Sequence, residues 1–302
     1  MTAGSHQQQD RTNRLAGIGF MLGGITLFAW HDALNKWLVG GYFVYQVLFL
    51  RTLFTTLPLA ILVARAGGPA VLRTARRRAL LGRGFLLFLA FSCWVGALTL
   101  VPLADIVAVS MSMPVATTAL GALLLKEHVD RGRWTAVAVG FAGVLLVVGP
   151  SGSFPLPATL LTLSSVTFFS LAFVMTRQLG VTERAEAMVA FQALVNGTGS
   201  GLVLLMLSHR WITPGWSDLG LFVALGFCAG FAQFLMTSAF RSAPVSVVAP
   251  FEYMSLLWAI MLGFIVWGDV PNGWTLAGAA TIVGSGLYVM RREALAGRRR
   301  RA

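Results

Sequence analysis

Residues 102–127 read PLADIVAVSMSMPVATTALGALLLKE, and residues 244–269 read PVSVVAPFEYMSLLWAIMLGFIVWGD. Each run opens on a proline, Pro102 or Pro244, and closes on an acid, Glu127 or Asp269. The offset of 142 returns along the chain within 140 to 142: Lys36 meets Arg177, Arg51 meets Gln192, and Trp134 meets Trp274. The second half therefore repeats the first. Each half carries five apolar stretches, and a unit with an odd number of crossings enters a bilayer inverted relative to its copy. Two inverted repeats meeting near the midplane are the plan of a secondary transporter.

Composition supports the membrane reading. Hydrophobic residues fill 57% of 302 positions and charged residues only 11%, against about a quarter in soluble domains. Mean hydropathy is +0.76. Ten spans follow, at 15–38, 43–64, 80–100, 104–125, 132–149, 157–178, 186–207, 217–240, 245–267 and 273–290. Each is near the ~20 residues that cross a ~30 Å hydrocarbon core. The runs are continuous rather than alternating, which argues against barrel strands. The expected fold is an all-α polytopic membrane protein with ten transmembrane helices as two inverted five-helix repeats. Repeat 1 covers 15–149 and repeat 2 covers 157–290. A short extracytoplasmic linker at 150–156 joins them, with a tail at 1–14 and a basic tail at 291–302.

The net charge of +12 is distributed by side. With the N-terminus inside, twenty of the 23 Lys and Arg residues fall on cytoplasmic segments; Lys36 and Arg210 fall outside, and Arg51 lies within a span. That asymmetry predicts cytoplasmic termini and a place in the cell inner (plasma) membrane. Arg298–Arg301 then reads as a contact to anionic membrane lipid, not to nucleic acid. The first apolar run continues into His31 and Asp32, so it reads as an uncleaved anchor. Two complete repeats in one chain make a monomer the default.

Several chemistries lack their residues. Neither lysine, Lys36 nor Lys126, precedes Ser or Thr as a phosphate-binding loop requires, and HExxH and GxSxG are absent. The histidines His6, His31, His128 and His209 have no zinc spacing, and Cys93 and Cys228 sit inside spans. The expectation is a non-enzyme with no cofactor and no metal, whose partner is a small-molecule substrate. Gly19–Gly23, Gly197–Gly201 and Gly226–Gly230 have the spacing that lets membrane helices approach closely.

Ionisable side chains inside a span cost roughly 2.5–3.5 kcal/mol each and face a cavity or a partner. Asp32 and Arg51 lie roughly 9 and 12 Å below the outer end of the first hairpin. They are expected to pair, or to share a network with Asn35. Lys36, one turn beyond Asp32, ranks second as its partner, and His31 lies beside it. Glu252 is the carboxylate deep in the second half, with Ser110, Ser164, Ser165 and Gln233 as further polar anchors. Pro114 and Pro250 each free a carbonyl in mid-span. Trp30, Trp94 and Trp258 lie too deep for an interfacial belt. With Met111, Phe168, Phe169 and Tyr253 they are expected to form an adaptable apolar wall. Each of these residues, taken singly, also fits ordinary helix packing.

Several segments together resemble a known family. They are Trp30-His31-Asp32 with Asn35-Lys36, Pro102-Leu103-Ala104-Asp105, Ala249-Pro250-Phe251-Glu252-Tyr253, Trp267-Gly268-Asp269-Val270-Pro271 and Gly284-Ser285-Gly286-Leu287-Tyr288. From residue 15 to 292 the chain resembles the EamA branch of the drug/metabolite transporter superfamily. The resemblance implies the same ten-helix fold and export of small metabolites, often amino acids, aromatic ones included. Alternating access through a central cavity is the expected cycle, with multidrug efflux, another metabolite carrier or a passive pore as alternatives on the same fold. The copies differ where charge sits: Gln192 stands opposite Arg51, Phe173 opposite Asp32, and Ser110 opposite Glu252.

Overall fold

The computed structural model describes residues 3–65, 67–125, 131–148, 155–179, 182–242 and 249–299. Its helices are α1 (Ala3–Val39), α2 (Val44–Arg65), α3 (Arg77–Leu98), α4 (Leu103–Ser110), α5 (Met113–Leu125), α6 (Arg131–Val148), α7 (Leu156–Leu179), α8 (Ala185–Met206), α9 (Trp216–Ser242), α10 (Met254–Trp267) and α11 (Gly273–Arg299). Short 3₁₀ turns occupy Gly68–Leu72, Ser208–Arg210 and Ala249–Tyr253. No strand occurs among the described residues. Helix is what an apolar medium demands, because each helix bonds its own backbone polar groups. The helices α1, α2, α3, α7, α8 and α9 contain segments long and apolar enough to cross a membrane unbroken.

The remaining crossings are α4 with α5, then α6, then the 249–253 turn with α10, and finally α11. Ten crossings result, in two five-helix repeats. Contacts between repeats follow a two-fold exchange. The α1–α9 contact has its counterpart in α7–α3, and α2–α9 has its counterpart in α8–α3. Contact of α1 with α10 corresponds to that of α7 with α4 and α5, while α2–α8, α4–α10 and α6–α11 pair equivalent helices. The repeats are thus interleaved, each completing the other's core.

Close approach at these contacts requires small residues. A Cβ on Gly278 would stand 2.6 Å from the carbonyl oxygen of Gly143, so α6 and α11 touch backbone to backbone. Gly226 and Gly230 of α9 pack against Phe54 and Pro58 of α2, as their spacing predicts. Leu57, Phe141, Leu202, Leu205, Phe264 and Ile265 are exposed, as a lipid-facing surface requires. Every residue of α4 is buried, Asp105 included. A helix covered on all sides marks the centre of the bundle.

The expected spans 4 and 9 are not continuous helices. Span 4 breaks at a turn over Met111 and Ser112, between α4 and α5. Span 9 enters α10 through the 3₁₀ turn Ala249–Tyr253. At the repeat offset Met111 corresponds to Tyr253, so both breaks fall at one register. Pro114 lies just beyond the first break, in the opening turn of α5, where its missing N–H costs no helical bond. Pro250 lies within the second break. Glu127 falls outside the described residues.

Candidate functional site

His31 and Asn35 lie one turn apart on the buried face of α1, and Arg51 reaches them from α2. Arg51 Nη1 is 3.5 Å from His31 Nε2. A guanidinium can only donate, so Nε2 accepts and the ring proton sits on Nδ1. That nitrogen is 3.1 Å from Asp32 Oδ1, to which it donates. Asn35 Nδ2 lies 3.2 Å from His31 Nε2 and donates to the His31 carbonyl at 3.1 Å. Its Oδ1 is buried with no partner. The expected Asp32–Arg51 proximity therefore takes the form of a network with His31 between the charges. No direct ion pair joins Asp32 and Arg51 among the described residues.

The face of Arg51 is covered by an aromatic ring. Its Cζ lies 4.2 Å from the centroid of Phe91 in α3, within cation–π range. Phe91 meets Phe169 of α7 edge to face, with centroids 5.1 Å apart. Trp94, one turn along α3 from Phe91, is buried in the main core. The sequence reading missed Phe91, although its position one turn from Trp94 on the same helix face was a usable signal. Arg51 is only 6% exposed, and among the described residues it has no carboxylate partner.

A second group gathers at the breaks. Ser255 Oγ donates to the Glu252 carbonyl at 2.7 Å and lies 3.8 Å from Met111 Sδ. The first break thus meets the opening turn of α10, just past the second. Ser110 Oγ donates to the Val107 carbonyl at 2.7 Å, and Ser112 Oγ to that of Val109 at 2.6 Å. Glu252 is half-buried, and no cation pairs with its carboxylate among the described residues. The Tyr253 hydroxyl presses on Gly286 of α11, where any Cβ would collide with it. Trp258 packs against the main core and also against the Met21, Ile25 and Ala239 cluster.

Other candidate residues lie apart from these two groups or merely near them. Trp30 is 47% exposed, because it points away from the buried face that its neighbour His31 occupies. Gln233 is exposed on α9. Phe168 and Ser164 are half-buried on α7, and the adjacent Ser165 is fully buried with its hydroxyl unpartnered. Lys36 does not bond Asp32. It pairs with Asp269 at 2.9 Å, because the α10–α11 connection closes over the end of α1. No cluster of three metal-ligating side chains occurs among the described residues.

The EamA-like transporter family matches twice, over residues 15–149 and 156–291. The S-adenosylmethionine uptake transporter of Rickettsia conorii is 27% identical over 279 residues, 92% of this chain and 94% of that protein. The riboflavin transporter of Rhizobium johnstonii is 28% identical, covering 85% of this chain and 80% of that one. That of Vibrio cholerae is 30% identical, over 72% and 73% respectively. A solved crystal structure superposes with a TM-score of 0.64 at 21% identity, over 90% of this chain and 96% of its own. That last likeness concerns the fold alone.

Proposed function

This chain belongs to the EamA-like transporter family, and on that footing we propose that it carries metabolites with an amino-acid head and a flat or apolar body. It is a multi-pass membrane transporter of small metabolites and not an enzyme. The observation that carries the finer reading is Arg51, a buried guanidinium braced by His31 and Phe91 without a carboxylate bonded to it. A carboxylate of the cargo supplies the missing bidentate partner. Glu252, without a cation, receives the ammonium group. Phe91, Phe169 and Trp94 take the apolar body. Amino acids, aromatic ones among them, meet this description. So does S-adenosylmethionine, the cargo named for the Rickettsia relatives, which joins an amino-acid head to a flat base.

The cycle is alternating access, with the repeats rocking about the contact between the first break and the opening turn of α10. Such a cycle is reversible, so net export or uptake follows the gradients of cargo and of any coupled ion. Both termini lie in the cytoplasm, by the distribution of Lys and Arg, and the protein sits in the plasma membrane as a monomer. Counterflow in proteoliposomes tests the reading. Labelled phenylalanine and S-adenosylmethionine are expected to exchange saturably, and riboflavin, which lacks the amino-acid head, poorly. Riboflavin exchange without either of the others would overturn the head-group assignment, and linear, unselective flux would indicate a pore.

A further inference from the structure

One end of the bundle is sewn shut by side chains that each join one repeat to the other. Lys36 Nζ of α1 pairs with Asp269 Oδ2 at 2.9 Å and lies 4.8 Å from the ring centroid of Trp267. The Tyr42 hydroxyl donates to Asp218 at 2.5 Å, and this bond raises the Tyr42 pKa above its ordinary value. Gln46 makes a reciprocal pair with the backbone of Ile212, donating at 2.5 Å and accepting at 3.1 Å. Thr275 Oγ1 donates to the buried Asp105 at 2.8 Å. At the other end, Arg83 bonds Thr176 Oγ1 at 2.6 Å and the Met188 carbonyl at 3.2 Å.

Of these links, Lys36–Asp269 differs in kind from the rest, and in exposure from the Asp105–Thr275 bond. It is the one ion pair between the repeats among the described residues. It is also part-exposed, with side-chain accessibilities of 12% and 27%. A pair that stays in touch with water is easily broken and remade, whereas the buried Asp105–Thr275 bond leaves both groups unpaired when it opens. Trp267 holds the ammonium in place while the pair is made.

The pair also sits on the two helices that carry the candidate site. Asp269 is fixed to the end of α10, since its amide donates to the Gly263 carbonyl at 3.1 Å across the left-handed Gly268 cap. The other end of α10 begins at Tyr253 and Glu252. Lys36 is one turn beyond Asp32 on α1, which carries His31 and Asn35. Helices α1 and α10 pack against each other. Any separation at the Lys36 end therefore moves the His31 network relative to Glu252.

Granting the carrier cycle above, we propose that Lys36, Asp269 and Trp267 form the latch that holds α1 against α10 and closes the site at this end. The proposed orientation makes that end extracytoplasmic. Breaking the latch shifts the population toward the state open on this side, and a ligand-independent shift follows because the pair contributes only to the closed state.

Spin-label distances test this without any cargo. Gly41 has open space about its Cβ, and Val270 is 74% exposed, so cysteines at both positions tolerate a label. The full chain is used, with Cys93 and Cys228 replaced by alanine, in lipid nanodiscs. The unaltered latch is expected to give one short distance population. Lys36→Gln and, separately, the near-isosteric Asp269→Asn should each add a population longer by on the order of 5 Å, the scale of known gating displacements. Trp267→Leu should give a smaller fraction of it. The double exchange Lys36→Asp with Asp269→Lys should return most molecules to the short distance. Unchanged distances in both single variants, with normal helix content, would overturn the latch; so would a double exchange as open as the singles. Failure of the carrier reading shows separately, as absent counterflow.

Discussion

The break at Met111–Ser112 and the break at Ala249–Tyr253 interrupt equivalent helices at one register, yet they treat polar atoms differently. In the first, Ser110 and Ser112 turn their hydroxyls back onto carbonyls three residues earlier. Such bonds satisfy the side chain locally. In the second, Glu252 stands where Ser110 would be, and no cation meets its carboxylate among the described residues. Similarly, Arg51 of repeat 1 stands where repeat 2 has Gln192. The break occurs in both copies, whereas each of the two charges occurs in only one. A bending point needs only unmade helical bonds; recognition of a charged cargo needs an uncompensated opposite charge.

The comparison breaks most easily at Arg51. Arg51→Gln gives repeat 1 the residue of repeat 2 and, on the proposed reading, removes one partner of a buried charge pair with the cargo. Such losses cost about 2–5 kcal/mol, so KM for phenylalanine counterflow should rise about 30-fold or more. An unchanged KM would mean that the asymmetry at this position has no bearing on cargo. The reciprocal change, Gln192→Arg, should not restore transport in the Arg51→Gln background, because repeat 2 has Ala172 and Phe173 where repeat 1 has His31 and Asp32.

A smaller effect is expected at the breaks themselves. Glu252→Gln keeps the shape and removes the charge; a charge-assisted hydrogen bond contributes about 1.5–3 kcal/mol, so affinity for S-adenosylmethionine should fall tenfold or more. Ser110→Ala at the equivalent position should leave counterflow within about twofold, with a stability cost of about 1 kcal/mol for the lost hydroxyl bond. Equal losses at the two positions would show that both breaks are chemical, or that both are structural.

Much of the fold was legible because a bilayer demands long apolar runs, and those runs recur at a fixed offset. The breaks were harder to see. Met111 and Ser112 carry no turn signal, and Pro114 marks the far edge of the first break rather than its centre. The site was legible in its components more than in its connections. Consecutive helical residues differ by about 100° in direction, so pattern alone does not decide whether His31 or Asp32 faces Arg51. The structure turns His31 inward and leaves Asp32 as its acceptor. For Lys36, the helical i+4 rule offered Asp32, while the actual partner lies 233 positions away in sequence.

That distant partner leads to the subtlest test. At the repeat offset Lys36 corresponds to Arg177 and Asp269 to Glu127. Glu127 lies outside the described residues, so the correspondence rests on sequence register alone. An inverted repeat carries a feature of one face to the other, and an exposed ion pair is worth at most about 1 kcal/mol. Charge reversal should therefore shift the balance of states by less than about tenfold, and in opposite senses at the two ends. In the proposed orientation, Arg177→Glu should raise labelling of a cytoplasm-facing reporter cysteine, Lys36→Glu that of one on the opposite face. Glu127→Arg should reverse the first effect and Asp269→Lys the second. Shifts of the same sense in both would mean that only one end of the duplication has kept a gate.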